Sequence, residues 1–355
     1  MIFKMEKDPY IDLLCELIRM RPESRDIPAV NRVQRRVRDF LAERNLYCTL
    51  EKCGEREILF AATQPGKIQD ILLCAHLDVV PAENEAQYEP EFREGYLYGR
   101  GADDCLGNAV AAIKAMCTAP AGSAIGCIFT GDEEIGGHTT AFMVGQGYTA
   151  RRLGLILDAS GGIYNCQKGI LNLKLTARGK GGHASRPWAL DNPVVTLVEG
   201  LHKLIHAWRN PVGLDDWRLS IAPTVLKAGS VVNRIPDEAE AFLNLRLVKT
   251  EEKEEIIDFI KKTTGLEVAV TESCDPFSTP ADTPEMRRLL AAYAKVFGTD
   301  PGPKRMAGAT DARHLYKIGV PVGVSGTSGT GAHGADEHLQ LDSIDKVVKL
   351  VLELL

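Results

Sequence analysis

The chain is 355 residues long, 45% hydrophobic and 25% charged, with a formal net charge of -6 at pH 7, and that length points to about two domains. An acidic balance with no basic run argues against a nucleic-acid partner or an anionic membrane surface, and no apolar run reaches membrane-spanning length. The start, MIFKMEKDPYIDLLCELIRMRPES, lacks the order of a secretory signal, and the nine cysteines are scattered without a C-x-x-C pair, which predicts reduced thiols in a cytoplasm.

Helically spaced apolar positions predict helices over 9–20 and 27–45, the second capped by Asp26 with Pro28 in its first turn. ILLCAHLDVV (71–80) is a near-continuous apolar run, as expected of a strand buried on both faces. The Ala-rich GNAVAAIKAMCTA (107–119) reads as a helix, and AIGCIFTG (124–131) and LGLILDAS (153–160) as two further buried strands. Strand, helix and strand with short links predict an α/β domain with a mostly parallel sheet flanked by helices.

The pattern then changes. LNLKLTARG (171–179) alternates like a half-exposed strand, PVVTLVEGLHKLIHAWRN (193–210) is an amphipathic helix, and WRLSIAPTVLKAG (217–229) and AEAFLNLRL (239–247) are two more strands. Thr250 caps a helix with acids at its start and Lys261 and Lys262 at its end, and LEVAVTES (266–273) closes the set. The order β-α-β-β-α-β is a self-contained two-layer α+β unit of ferredoxin-like type. The expected organisation is a domain of residues 170–279 inserted into a discontinuous domain of 1–169 and 280–355. In that last segment helices are predicted over 284–297 and 342–355, with a strand near 320–325.

Open α/β sheets bind ligands at the carboxyl ends of their strands, and here those ends collect acids and imidazoles. The first buried strand delivers His76 and Asp78, two residues apart and so expected on one face. YGRGADDCLGN follows with Asp103 and Asp104, FTGDEEIGG supplies Asp132, Glu133 and Glu134, the next strand ends at Asp158, and the Gly-rich GTSGTGAHGADEHL holds His333. Taken singly, each is an ordinary polar strand end or turn. Together, two histidines and three carboxylates can give each of two divalent cations one nitrogen, one private carboxylate and a share of a bridging one. Adjacent glutamates diverge, so Glu134 is expected to ligate while Glu133 stays free beside a metal-bound hydroxide as general base. Asp78 is expected to orient His76.

LLCAHLDVVP, YLYGRGADDCLGN, FTGDEEIGG, GKGGHASRP, GSVVNRIPDEAEAFLNLR and GAHGADEHL occur in the order found in a dinuclear-zinc metallopeptidase family. The chain resembles this family of aminoacylases, acetylornithine deacetylase, succinyl-diaminopimelate desuccinylase, glutamate carboxypeptidase and several di- and tripeptidases from about residue 70 to 340. The resemblance implies that His76 and His333 each ligate one ion, with Asp104 as the bridge and Glu134 and Asp158 as private ligands. It also makes Glu133 the catalytic base and Asp78 the orienter of His76. In the inserted domain, which in that family is a lid that dimerises, His183 matches a histidine that reaches across the dimer to the substrate carbonyl. Asn233 and Arg246 match residues that hold the substrate carboxylate, and Gly308 and Ala309, ahead of TDAR, line the same pocket.

Two departures from the family pattern stand out, the first bearing on the charge behind the site and the second on substrate. Leu106 stands where the family usually has lysine in D-x-K-G, and Asp158 stands where the deacylases and carboxypeptidases commonly place glutamate. The implied function is metal-dependent hydrolysis of small N-acyl amino acids by a metal-bound hydroxide, with a di- or tripeptidase or carboxypeptidase as the alternative. The ions are expected to be zinc, with cobalt or manganese as alternatives. A non-catalytic metal-containing binding protein is a third reading. Paired carboxylates of a glycosidase, a fourth, leave the histidines unexplained.

Overall fold

The structure, a computed structural model, describes residues 8–355, so the first seven residues of the opening segment lie outside the description. Two compact units emerge: one holds the described residues up to Cys166 with Ser278–Lys304 and Thr310–Leu355, the other Gln167–Phe277 with Arg305–Ala309. The five residues Arg305–Ala309, which carry Gly308 and Ala309, group with the second unit although they lie well past residue 279 in sequence.

In the first unit a central sheet runs in the order Tyr47–Cys53, Arg56–Ala62, Ile125–Thr130, Ile68–His76, Thr149–Leu157, Val322–Ser325, Ile163–Gln167. Its middle is parallel: Ile68–His76 pairs in parallel with both Ile125–Thr130 and Thr149–Leu157, and Val322–Ser325 with Thr149–Leu157. Antiparallel strands flank it on either side. Near-complete burial runs through the central strands: Ile71, Leu73, Ile125, Cys127, Leu153 and Leu155 join one core with apolar residues of helices Pro9–Arg19, Gly107–Thr118 and Asp342–Glu353. Both predicted N-terminal helices form, each opened by an aspartate: Asp8 accepts from Tyr10 N and Asp26 from Ala29 N.

Three local expectations change. The first buried strand ends at His76 instead of 80, so Asp78 belongs to the segment that leaves the sheet. The second helix stops at Ala42, and the hairpin Tyr47–Cys53 and Arg56–Ala62 fills the stretch before that strand. Its outer strand alternates in burial and its inner strand is almost wholly buried, a pattern set by position in the sheet.

The second unit is a four-stranded antiparallel sheet in the order Ser220–Ala228, Glu238–Leu247, Gly169–Arg178, Glu267–Cys274. Glu238–Leu247 alternates strictly between buried and half-buried residues. Its buried face, with Leu171, Leu173, Leu175, Leu243 and Leu245, packs on Leu197, Leu201 and Leu204 of helix Pro193–Ala207 and on Ile256 and Ile260 of helix Glu252–Thr264. The strand and helix order and the antiparallel pairing are those of the ferredoxin-like unit expected from the sequence. No helix among the described residues is long and apolar enough to cross a membrane.

Candidate metal centre

Parallel pairing aligns the strand ends. His76 pairs with Thr130, and Leu157 with Ser325, so the residues that follow each strand emerge at one rim. There His76 Nε2 lies 2.9 Å from Asp104 Oδ1 and 3.5 Å from Asp158 Oδ1. His333 Nε2 lies 3.2 Å from the other oxygen of Asp104 and 3.1 Å from Glu134. One carboxylate thus presents an oxygen to each imidazole. His333 itself adopts a left-handed backbone, φ 66°, within the Gly-rich loop.

The segment carrying Asp104 is a single π-type turn, Ala102–Leu106, ahead of helix Gly107–Thr118, and its Asp104–Cys105 peptide is cis. A fully buried ion pair ties this turn to the His333 loop. Arg100 Nη1 donates to Glu337 Oε2 at 2.5 Å, and Arg100 Nη2 donates to the carbonyls of His333 at 3.1 Å and Gly334 at 3.3 Å. The other oxygen of Glu337 accepts from Asp103 N and Asp104 N, both at 3.1 Å. Arg100 and Glu337 therefore fix the backbones of both loops at once.

Asp78 is sealed from solvent and does more than orient His76. The nearer acceptor for His76 Nδ1 is the Asp78 carbonyl at 2.9 Å, with the carboxylate at 3.5 Å. The carboxylate also accepts from Glu133 N at 3.2 Å and Glu134 N at 3.4 Å, which pins the turn that follows Thr130. Burial opposes its ionisation, but the hydrogen bonds with His76 and those others hold its carboxyl below the ordinary value.

Glu133 faces a different partner. Arg313 Nη2 donates to its carboxylate at 3.0 Å and to its backbone carbonyl at 3.0 Å, with both side chains almost wholly buried. Burial, with the charges of Asp158 and Asp311, pushes the Glu133 carboxyl well above its ordinary value against the pull of Arg313. Asp311 is in turn held by Thr130 Oγ1 at 3.0 Å and Thr140 Oγ1 at 2.6 Å.

The charge around the imidazoles is unbalanced toward the negative. Hydrogen bonds to Asp104 and Glu134 push the His333 imidazole up to about 10. Burial raises the carboxyls of Asp158 and Asp103 to about 7 each, with neighbouring acids adding to the shift. Asp104 goes the other way: burial opposes its ionisation, but the hydrogen bonds with His333 and His76 hold its carboxyl below the ordinary value. A rim that draws protons onto its imidazoles and onto Asp158 and Asp103 is one where a cation replaces protons favourably. The donors meet the distance requirement: ligand atoms of His76, Asp104 and Glu134 lie within 4.8 Å of one another, as do those of His76, Cys105 and Asp158. Cys105 is a weaker candidate than its position suggests. Its thiol donates to Leu157 O at 2.9 Å, and burial pushes it up to about 12, so it stays protonated. Asp103, Asp104, Asn108, Asp158, Ala159, Ser160 and Ala332 line a cavity of about 160 Å³ beside these donors.

The residues expected to contact substrate, His183, Asn233, Arg246, Gly308 and Ala309, all lie in the second unit. His183 ends a two-residue strand paired with Arg234–Ile235, and the neighbouring Asn233 O accepts from Ala184 N at 3.0 Å, so these two flank one ladder. His183 is exposed, with Nδ1 accepting from Ser185 N at 3.2 Å and lying 2.8 Å from Ser185 Oγ. Arg246 stands on the strand Glu238–Leu247, its Nε donating to Asn244 Oδ1 at 3.1 Å. Gly308 and Ala309 belong to the short segment Arg305–Ala309. Sequence reasoning assigned no role to Arg100, Glu337 or Arg313. All three stood inside quoted motifs, YGRG, GADEHL and TDAR, and the available signal was a charge embedded among small residues.

Residues 72–355 match the sequence profile of peptidase family M20/M25/M40. A succinyl-diaminopimelate desuccinylase of Sulfurimonas denitrificans is 26% identical over 309 residues, 80% of this chain and 83% of that one. The solved M20 family metallo-carboxypeptidase Sso-CP2 from Sulfolobus solfataricus superposes with a TM-score of 0.82 at 17% identity, covering 98% of each chain. The aminopeptidase PepT from Bacillus cereus superposes with a TM-score of 0.80 at 18% identity, covering 97% of this chain and 96% of that one.

Proposed function

This chain belongs to peptidase family M20/M25/M40, and from that premise we propose that it is a metal-dependent hydrolase cleaving the amide bond of small N-acyl amino acids. The observation that carries the reading is Asp104, whose two oxygens lie 2.9 Å and 3.2 Å from the imidazoles of His76 and His333. These residues would hold two divalent cations, one by His76, Asp158 and Asp104 and the other by His333, Glu134 and Asp104. Zinc suits these ligands, with cobalt or manganese as alternatives, and such ions supply Lewis acidity to an amide carbonyl and to water.

The protein's own residues manage the protons and the substrate. Glu133 takes a proton from the attacking water as its oxygen bonds to the amide carbon. The same carboxyl delivers the proton to the departing nitrogen as the C–N bond breaks, leaving a carboxylic acid and an amine, and the acid's proton then passes to the amine to give a carboxylate and an ammonium. Arg313 holds that carboxylate in place from the side, and Asp78 fixes both His76 and the backbone under Glu133 and Glu134. His183 Nδ1 accepts from Ser185 N, which leaves Nε2 as the nitrogen that would donate to a carbonyl oxygen of substrate. Asn233, Arg246, Gly308 and Ala309 would hold the substrate carboxylate and its backbone.

His183 would act on the substrate of a partner subunit, with the second unit as the dimer contact. An exposed apolar stripe supports this: Val195, Val198 and Ile205 on helix Pro193–Ala207 are 50%, 55% and 60% accessible. Val225 and Leu226 are likewise exposed on Ser220–Ala228, which is an edge strand. Nine free cysteines fit a reducing cytoplasm. Short peptides are the second reading, favoured by Asp158 in the position where deacylases commonly carry glutamate.

The deciding experiment is hydrolysis of a panel of N-acetyl and N-succinyl amino acids and dipeptides, with added zinc or cobalt and again after chelation. Chelator-sensitive release of amino acid is expected, and the preferred panel member separates deacylase from peptidase. Stoichiometric metal without turnover of any member would favour a non-catalytic protein instead.

A further inference from the structure

Helix Pro193–Ala207 packs Leu197, Leu201 and Leu204 against the sheet of the second unit, and that packing fixes which of its residues face outward. With 3.6 residues per turn, Glu199, His202 and His206 fall within an arc of about 60° directly opposite the buried leucines, and all three are exposed. The two imidazoles already stand together, their ring centroids 4.3 Å apart and their planes at 61°. Among the described residues, neither ring nor the Glu199 carboxylate has a hydrogen-bond or ion-pair partner. The centre at the strand ends lies in the first unit and uses none of the three.

We infer that Glu199, His202 and His206 form a further metal site, which takes one divalent transition-metal ion and is separate from the strand-end centre. Histidines four residues apart on a helix present nitrogens to one ion, and a glutamate three residues before a histidine brings its carboxylate to the same ion. The run E-G-L-H-K-L-I-H combines both spacings on one face. Among the described residues, the groups of three donors already gathered within 4.8 Å lie at the strand ends, so Glu199 reaches the ion by rotating its exposed side chain. Two imidazoles select zinc, nickel or copper over calcium or magnesium, and three protein donors leave a position for water. His206 lies in the last turn of the helix, where the backbone dipole favours a cation. Val195, Val198 and Ile205 border the three donors, within the stripe proposed above for contact with a second copy. A dimer that covered this stripe would leave two imidazoles and a carboxylate without partners unless an ion joined them, so the ion suits the single chain and the dimer alike.

The test is a calorimetric titration of the metal-depleted full chain with zinc, and it needs no turnover. The strand-end centre titrates in every sample, so the comparison is between variants. Wild type is expected to bind one equivalent more than the double variant His202→Gln with His206→Gln. For that equivalent the Kd should rise about tenfold or more in either single histidine variant, and about threefold or more in Glu199→Gln. His206→Ala combined with Ala207→His keeps two histidines but turns the second about 100° around the helix, and it should bind as weakly as the single variants. The exposed positions make each metal-free variant expected to unfold in urea at the wild-type midpoint, which confirms that a lost equivalent is a lost ligand. An undiminished equivalent in the double variant, wild-type affinity in the spacing variant, or wild-type affinity in Glu199→Gln overturns the inference. The double variant should keep its chelator-sensitive turnover, since none of the three residues belongs to the strand-end centre, and the inference therefore stands or falls apart from the hydrolase reading.

Discussion

Replacing Glu337 by alanine should damage the centre without touching a metal donor. Arg100 and Glu337 have side chains 1% exposed each, so the substitution leaves a guanidinium buried without its counter-ion. Breaking one partner of such a pair costs about 3–5 kcal/mol. The backbone N–H groups of Asp103 and Asp104 lose their shared acceptor as well, at roughly 1 kcal/mol each. A loss of about 5 kcal/mol or more is therefore expected, large against the 5–15 kcal/mol that holds ordinary domains together. Urea denaturation of the chelated protein measures it directly, free of any contribution from bound metal. Glu337→Gln keeps an acceptor for the two N–H groups and should lose less. The double variant Arg100→Met with Glu337→Leu should recover much of the stability, because an apolar pair fills the same space without a buried charge. It should not recover zinc affinity, since nothing then fixes the Asp104 and His333 backbones relative to each other. An apo stability loss below about 1 kcal/mol for Glu337→Ala, with unchanged zinc affinity, would refute the clamp.

Glu133→Gln should retain both metal equivalents by elemental analysis while kcat falls by at least about a hundredfold, the usual value of a general base. Arg313→Met should lower kcat by roughly 10- to 100-fold through the lost charged hydrogen bond to Glu133, with Arg313→Lys intermediate and KM little changed; an unaltered kcat would remove it from the positioning role. Gly137 has φ +65°, and a Cβ there would sit 2.0 Å from Asp311 Oδ1, so Gly137→Ala should cost on the order of 2 kcal/mol in urea unfolding and an indistinguishable midpoint would contradict the packing. Burial pushes His314 down to about 4 while its Nε2 lies 3.0 Å from Gly136 O. The unfolded chain, with the ordinary histidine value near 6.5, then binds more protons below that pH, and the stability His314 contributes at neutral pH is lost as pH falls from about 6.5 toward 4. Between pH 7 and 5 that amounts to roughly 1–2 kcal/mol, so the wild type should lose that much more than His314→Gln; parallel pH profiles would show that histidine burial is not the cause.

The sequence by itself determined the class of architecture, because periodicity is local. Alternation of two in 239–247, buried runs at 71–80 and 124–131, and the acid-first, base-last helix after Thr250 each express a preference of neighbouring residues. It also supplied the donor types, since acids and imidazoles at the ends of apolar runs have few other uses when they recur strand after strand. What it left undetermined depends on residues distant along the chain. The strand bearing His76 ends where the sheet's register ends, a matter of its pairing with Thr130 and not of its own composition. The hairpin at Tyr47–Ala62 reads as strand only once a sheet edge exists to receive it. Arg100 meets Glu337 across 237 positions, and Arg313 meets Glu133 across 180. A charge in a motif looks the same whether it faces solvent or a buried partner, so only the tertiary structure could separate the residues that would hold metal from those that hold the holders in place.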